Sequence, residues 1–204
     1  MRSICGLALG LAACFPTGHT YTANTLDSHQ GSFHAGVGMG VAPQEKEPGD
    51  DSLTVVPLIT SIDLGYEHGL TDSLTVGGKA QVGFLTGGEA AFRLRFLQAG
   101  SLSLALNGAA SGLISLGGNG ESLTSAYGRL LWTVGPPDGF AVTGSGNLGL
   151  WEFADPALIY GFSIGLQVPQ SDLVGLGVGM LTVEWGVGGT MPVLVFGYGL
   201  HIGL

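Results

Sequence analysis

The chain has 204 residues, of which 38 are glycine, and charged residues make up only 10% of it. Its mean hydropathy of +0.43 excludes a disordered chain of low hydrophobicity. Six basic residues against 15 acidic ones give a net charge of -9, which argues against a nucleic-acid-binding protein. The glycines follow no G-X-Y period, so a collagen is excluded as well. The length allows one domain, or one larger closed sheet, and the fold must account for a large apolar surface.

The first 13 residues have the features of a secretory signal peptide. Arg2 precedes an apolar run from Ile4 to Ala13, which is too short to span a bilayer. The run ends in Leu-Ala-Ala followed by Cys14, and this motif resembles the bacterial lipobox. The resemblance implies that Cys14 is diacylated and becomes the first residue of the mature chain. The alternative is an ordinary signal peptide cut near Ala13 with an unmodified cysteine.

Residues 14–30 are predicted to form a tether, lipidated if the lipobox is used. They are rich in Thr, Asn, Ser and His and show little periodicity, which is typical of a linker. His19 and His29 in this segment are expected to be solvated rather than to bind a metal. Tyr21 is expected, with several tryptophans and tyrosines of the body, to include anchors at the membrane interface.

From residue 31 onward, apolar and polar residues alternate with a period of two. In one run, Phe92, Leu94 and Phe96 alternate with Arg93 and Arg95. This period is that of a β-strand, whose successive side chains point to opposite faces. Turn signals rich in glycine, proline and aspartate separate the runs. The predicted strands are 31–41, 53–67, 73–86, 89–98, 101–116, 121–134, 139–152, 157–168, 172–185 and 190–204.

The segment 172–185 fits the alternation least well. The apolar residues from Val174 to Met180 would face outward, and the same parity would place Glu184 outward as well. We therefore expect a β-bulge near Glu184, or a strand that leaves the membrane there.

Strand length and the character of the polar face predict a transmembrane barrel. The strands are longer than the roughly five or six residues usual in globular sheets and match tilted membrane strands. Their non-apolar face is mostly Gly, Ser, Thr and Asn, which suits a narrow lumen better than the outer face of a soluble β-sandwich. Residues 185–204 carry no charged residue, but their period of two and their glycines disfavour a transmembrane helix. The predicted fold class is all-β, a closed antiparallel transmembrane β-barrel of about ten strands, within a range of about 8 to 12.

The stretch from Leu64 to Gly77 consists of a strand, a Gly-Leu-Thr-Asp turn and a second alternating strand. This pattern resembles the small outer-membrane β-barrel proteins of Gram-negative bacteria, and the resemblance covers residues 31–204. It implies location in the bacterial outer membrane, with outer-membrane lipid and the barrel assembly machinery as partners. That family usually ends on an aromatic residue that the machinery reads, whereas this chain ends on Leu204.

The connections predict how the barrel is oriented. The longest and most charged one, residues 43–51, would join the first two strands on the outer side, and the short turn 69–73 would be periplasmic. A lipid on Cys14 in the inner leaflet would fit a periplasmic N-terminus. The acidic residues predicted on the outer side are Glu45, Glu47, Asp50, Asp51, Glu121, Glu152 and Asp155.

Parity places a group of charged residues inside the barrel, in its periplasmic half. A Lys or Arg facing lipid at mid-depth would cost about 2–4 kcal/mol, which favours the lumen. A turn centred on Thr71 would pair Asp63 with Lys79, and a turn near Gly87 would put Lys79 beside Arg95. The predicted lumen charge cluster is Asp63, Glu67, Lys79, Arg93, Arg95, Arg129, His34 and His201.

These features support a structural or small-pore envelope protein in which the charges plug the lumen, with small solutes or ions as cargo if the lumen is open. The alternative is a surface ligand-binding or adhesin-like module that uses its acidic outer loop. A barrel enzyme acting on lipid is disfavoured, because His34 and His201 would be neighbours near Asp63 but no serine is poised beside them. We expect no catalytic residue, cofactor, metal or nucleic-acid partner, and the sequence assigns no oligomeric state.

Overall fold

The computed structural model describes residues 21–43, 55–83, 85–115, 122–137, 139–152, 156–169, 178–188 and 191–203. Within these ranges the chain forms ten β-strands. They are β1 (Gly31–Pro43), β2 (Val55–Thr71), β3 (Leu74–Val82), β4 (Leu85–Ala99), β5 (Leu102–Ser115), β6 (Ser122–Val134), β7 (Ala141–Glu152), β8 (Pro156–Pro169), β9 (Val178–Gly188) and β10 (Met191–Gly203). None of the residues in the described ranges forms a helix long and apolar enough to cross a membrane.

The ten strands close into one barrel. Each strand pairs antiparallel with its neighbours in the sequence, and β1 pairs with β10 from Ser32 opposite Gly203 to Val41 opposite Leu194. Closure gives both edge strands a partner, so neither of them remains a free edge. The predicted fold class, a closed antiparallel all-β barrel of about ten strands, is therefore confirmed.

The outer face of the barrel wall is apolar and its inner face is polar, which is the reverse of the distribution in a soluble protein. Large apolar side chains on the outer face are exposed, including Leu64 at 60%, Leu148 at 59% and Phe162 at 55%. The buried side chains are mostly polar or charged. The buried apolar cluster within the described ranges comprises Tyr21, Ala23, Ala105 and Leu131. A wall that is apolar outside and polar inside is the arrangement of a barrel that spans a membrane.

Glycines on the outer face let aromatic rings lie across neighbouring strands. Phe92 on β4 is the register partner of Gly108 on β5, and a Cβ atom on Gly108 would lie 2.5 Å from the ring of Phe92. Trp132 on β6 covers its register partner Gly144 on β7 in the same way. A ring over a cross-strand glycine adds contact area to the pair and helps to fix the strand register.

The chain termini distinguish the two ends of the barrel. We call proximal the end at which β1 begins and β10 ends, for which the sequence predicts a periplasmic location, and distal the opposite end. The proximal connections are 72–73, 100–101, 135–140 and 170–177, and the distal ones are 44–54, 83–84, 116–121, 153–155 and 189–190. Apart from 44–54, no distal connection exceeds the longest proximal one. Loop length therefore does not decide the orientation, which stays a prediction.

The predicted pairing of Asp63 with Lys79 is wrong by two positions. β2 and β3 are joined at residues 72–73 and their register is irregular just before this turn, so Lys79 pairs with Gly65 and Asp63 pairs with Gln81. The prediction centres this ladder on Thr71, whereas its regular part is centred one residue later, on Asp72. The two charged side chains remain diagonal neighbours.

The predicted placement of Lys79 beside Arg95 is also wrong. β3 ends at Val82 and β4 begins at Leu85, before the predicted turn near Gly87, so Lys79 pairs with Glu89. Gly87 lies in β4, where a Cβ atom would come within 2.8 Å of a Cα atom of β5. This glycine therefore permits a close approach of two strands rather than a chain reversal.

The predicted bulge near Glu184 does not occur in β9 between residues 178 and 188, where the pairing is regular. Met180 pairs with Gln167, which is buried, while the adjacent Leu181 is 54% exposed. The even-numbered backbone positions of β9 therefore align with lumen-facing positions of β8. The predicted outward parity rests on the apolar residues from Val174 to Met180. Residues 170–177, which include the first of these, lie outside the described ranges.

Candidate functional site

Three carboxylates and three cations of the described residues are buried together on the lumen face. We call them the lumen cluster, and each is at most 8% exposed. Burial of an unpaired charge is costly, whereas equal numbers of opposite charges can compensate one another. The members of the lumen cluster are Asp63, Glu67, Lys79, Glu89, Arg93 and Arg129.

The shortest ion pair of the lumen cluster joins β2 to β4 across β3. The Nη2 atom of Arg93 donates a hydrogen bond to Oε2 of Glu67 at 2.8 Å. The two side chains meet above Gly77 of β3, where a Cβ atom would lie 2.9 Å from Cγ of Glu67. The missing side chain at Gly77 therefore provides the space in which the ion pair forms.

Lys79 lies between two carboxylates. Its Nζ atom is 3.6 Å from Oε2 of Glu89 and 3.9 Å from Oδ2 of Asp63. Glu89 is the direct register partner of Lys79, whereas Asp63 lies two positions along β2 from Gly65, the other register partner. Diagonal neighbours of this kind are about 7–8 Å apart, which is within reach of a lysine side chain.

Glu89 also accepts hydrogen bonds from two tyrosines. The Tyr127 hydroxyl donates to Oε2, and the Tyr21 hydroxyl donates to Oε1 at 3.1 Å. The guanidinium of Arg129 lies over the Tyr127 ring, 4.2 Å from its centroid, and its Nη1 atom donates to Oδ1 of Asn107 at 3.5 Å. Hydrogen bonds to charged groups are about twice as strong as those between neutral groups. Glu89 therefore contacts Lys79, Tyr21 and Tyr127 at once.

Residues 21–30, which we call the lumen segment, enter the barrel from the proximal end. The amide of Ala23, a fully buried residue, donates to Oγ1 of Thr133 at 2.8 Å. The amide of Leu26 donates to Oγ1 of Thr75 at 3.0 Å. At the rim, the amide of Gly69 donates to the Gln30 carbonyl at 2.9 Å. Residues 21–26 of the predicted tether are thus packed against the barrel interior, whereas residues 27–30 are exposed at the proximal rim.

Tyr21 lies deepest in the lumen segment and does not anchor the chain at a membrane interface. The guanidinium carbons of Arg93 and Arg129 lie 5.7 Å and 5.8 Å from its ring centroid, within cation–π distance. The His34 ring meets it edge-on, with the centroids 6.2 Å apart. The hydropathy pattern could not show this, because an isolated tyrosine in a polar segment looks the same on an interface as in a lumen.

Of the predicted cluster residues, Arg95 lies elsewhere. Its Nη2 atom donates to the Asp72 carbonyl at 2.6 Å, at the exposed proximal turn. Thr25 of the lumen segment donates to the same carbonyl at 2.6 Å. Arg95 therefore belongs to the contacts that hold the segment at the rim, because β4 runs farther toward the proximal end than the predicted register allowed.

His34 and His201 are direct register partners on the closing strands β1 and β10. The His34 ring is buried above Gly65, where a Cβ atom would collide with it. The contact found for the Asp63 carboxylate is with Lys79. In the described part of the chain, no group of three or more His, Cys, Asp or Glu residues is placed to hold a metal ion. The absence of enzymatic activity stays a prediction.

Glu89, Asn107 and Tyr21 were missed by sequence reasoning. Glu89 directly follows a glycine pair that predicts a turn and is the first residue of the predicted strand 89–98. The odd residue number of Glu89 indicates the lumen face, because Arg93 on the same strand also has an odd number and is predicted to face the lumen. Asn107 has the parity of the lumen face too, but parity alone gives no partner.

Several predicted residues lie outside the described ranges. Cys14 is one of them, as are the signal-peptide residues 1–13. Glu152 is described and ends β7 at the distal end of the barrel. The remaining acidic residues predicted on the outer side also lie outside these ranges, namely Glu45, Glu47, Asp50, Asp51, Glu121 and Asp155.

No protein-family model matches the sequence, and no curated protein matches it. Among solved structures, the chain is similar to Ail, the attachment invasion locus protein of Yersinia pestis, with 14% identity and a TM-score of 0.30, over 86% of this chain and 99% of that one. It is also similar to the translocator domain of the autotransporter NalP from Neisseria meningitidis, with 12% identity and a TM-score of 0.35, over 98% of this chain and 95% of that one. Identities and TM-scores this low carry no functional information, and the assignment of the fold rests on the observed strand pairing.

Proposed function

We propose that the chain is an outer-membrane β-barrel of the bacterial envelope with a structural role and a closed lumen. The observation that carries the proposal is the inverted distribution of side chains, with large apolar residues exposed on the outer wall and a charge-balanced cluster buried inside. An exposed apolar wall of this extent needs a lipid environment, because soluble proteins seldom expose large contiguous apolar patches. The prediction of an outer-membrane location fits this wall and the antiparallel closed barrel.

The contacts in the lumen favour a structural role over a small pore. The ion pairs of the lumen cluster join β2, β3 and β4, and the hydrogen bonds of Glu89 and Arg129 extend these links to β5 and β6. A conducting constriction needs sites that hold an ion weakly enough to release it. Here each carboxylate has a cation of the protein close to it, so permeant ions would compete with partners already in place. The lumen segment occupies the proximal part of the same space.

Planar-bilayer recording of the purified full-length protein tests the closed lumen. We expect no unit conductance above the lipid baseline, under conditions in which an open porin gives clear single-channel steps. Regular conductance steps would favour the small-pore alternative instead. Separation of inner and outer membranes from expressing cells tests the location, and recovery in the inner-membrane or soluble fraction would contradict the proposal.

A lipid on Cys14 is a separate part of the proposal and rests on the lipobox resemblance alone. Metabolic labelling with a radioactive or clickable palmitate tests it directly. We expect label on the wild-type protein and none on Cys14→Ala, with Cys5→Ala as the matched control that keeps its label. Equal labelling of Cys14→Ala and wild type would contradict the lipid anchor without affecting the barrel.

A further inference from the structure

The side chain of Tyr21 is a phenol, and its hydroxyl, its ring face and its ring edge each contact a different group of the surrounding pocket. The Glu89 carboxylate accepts from the hydroxyl, two guanidinium groups lie over the ring, and the His34 ring meets its edge. Tyr21 itself is only 6% exposed and belongs to no strand of the barrel. The barrel wall therefore holds this side chain as it would hold a ligand.

The groups that form this pocket are positioned by partners other than Tyr21. Glu89 is held by Tyr127 and Lys79, and Arg93 by Glu67. Arg129 is held by Asn107 and by the Tyr127 ring. The polar wall of the pocket should thus persist when the Tyr21 side chain is removed, because side chains held by their own hydrogen bonds are preorganised for a ligand.

We infer that the lumen contains a binding site for neutral para-substituted phenols, which the chain's own Tyr21 occupies. A ligand of this site needs a hydroxyl group to donate to the Glu89 carboxylate. It also needs an aromatic ring to lie against the guanidinium groups of Arg93 and Arg129. The para position is where Tyr21 joins the backbone and where the lumen segment leads to the proximal rim. Binding at this site does not depend on whether the barrel conducts, so the inference stands apart from the proposed structural role.

The attached tyrosine has an advantage over a free phenol. A tethered group acts at an effective concentration of about millimolar or more, so a weak free ligand does not displace it readily. Wild-type protein should therefore show little phenol binding at low millimolar concentration, and removal of the Tyr21 side chain should make the site accessible.

The test uses the full-length Tyr21→Ala variant in detergent micelles, with 4-fluorophenol as the probe and fluorobenzene as its analogue without a hydroxyl. Fluorine NMR separates bound from free probe by saturable shift and broadening. We expect Tyr21→Ala to bind 4-fluorophenol roughly tenfold or more tightly than fluorobenzene, because the lost hydrogen bond is to a charged acceptor. In the double variant Tyr21→Ala with Glu89→Gln, this preference should fall severalfold.

Tyr198→Ala is the matched control, since Tyr198 is half-exposed on the outer wall and its removal leaves Tyr21 in place. It and wild type should give only the non-saturable signal of probe dissolved in micelles. Tyr21→Ser is a second variant that vacates the pocket, and circular dichroism with resistance to SDS establishes that each variant is folded. A folded Tyr21→Ala or Tyr21→Ser that gives the same signal as Tyr198→Ala would overturn the site. So would equal affinity for 4-fluorophenol and fluorobenzene.

Discussion

Glu67 and Arg93 lie on strands that do not pair with each other, yet their side chains meet at 2.8 Å over the intervening strand β3. The contact is buried, with both residues at most 5% exposed. It ties three consecutive strands together at side-chain level, in addition to the backbone hydrogen bonds of the two ladders. The contribution of this ion pair to the free energy of unfolding can be measured directly.

Removal of one partner of this ion pair should destabilise the barrel more than removal of both. Arg93→Met leaves Glu67 as a buried carboxylate without its guanidinium, and losses of this kind cost about 3–5 kcal/mol. The double change Arg93→Met with Glu67→Leu should recover a large part of that loss. Urea unfolding in lipid vesicles, read by tryptophan fluorescence, gives the free energies of unfolding for the cycle. Additive losses would contradict a direct interaction between the two side chains.

Gly77→Ala should weaken the same ion pair without removing either charge. The added Cβ atom would lie 2.9 Å from Cγ of Glu67 and 2.7 Å from the Tyr66 carbonyl oxygen, so the side chain or the strand has to move. Overpacking of this kind costs about 1–3 kcal/mol. Gly112→Ala on β5 is the control, because nothing lies within 4 Å of its Cβ position. The same unfolding assay should show no loss for Gly112→Ala, and equal losses for both variants would show that the space above Gly77 is unimportant.

Leu148→Arg tests whether the outer wall faces lipid. Leu148 is 59% exposed and lies in the middle of β7. In a bilayer an arginine at mid-depth costs about 2–4 kcal/mol, whereas an exposed change on a soluble protein is usually within about 0.5 kcal/mol. Leu70→Arg, close to the proximal end of β2, is the control and should cost roughly 1 kcal/mol or less. A neutral Leu148→Arg in the vesicle assay would count against a membrane-spanning wall.

Tyr21→Ala should release the inner part of the lumen segment, because the hydroxyl and ring contacts of Tyr21 are both lost. We expect small or flickering conductance steps in planar bilayers where wild type is silent. Tyr21→Phe keeps the ring over the two guanidinium groups and should remain closed for more of the time. Tyr198→Ala serves as the control on the outer wall and should behave as wild type. A silent Tyr21→Ala would mean that the lumen cluster closes the barrel without help from the segment.

Strand period and residue parity were sufficient to predict most of the architecture. Alternation over 31–204 requires strands with one apolar and one polar face. Long strands with a continuous apolar face predict a closed transmembrane barrel, and the pairing of β1 with β10 confirms the closure. Parity also indicated the lumen face for Asp63, Lys79 and Arg93. It could do so because a charge on a lipid-facing wall is costly, so the side of the sheet is determined by each strand alone.

The contacts between those residues depended on register, which parity does not determine. A shift by any even number of residues keeps every side chain on its face but changes its neighbour. Lys79 thus pairs with Glu89, six positions before the predicted partner Arg95, and Arg95 lies at the rim. The position of the turn decides this register. A glycine does not by itself identify a turn, because Gly87 lies within β4 and permits a close approach of two strands.

The sequence by itself determined the class of the fold, the face on which most side chains lie and the balance of charges available to the lumen. Only the tertiary structure decided which charges meet and what fills the barrel. Tyr21 shows why: its partners Glu89, Arg93 and Arg129 lie between 68 and 108 residues away along the chain. Local pattern carries no information about contacts over that separation, which arise only when the closed barrel brings β4, β6 and the lumen segment into one space.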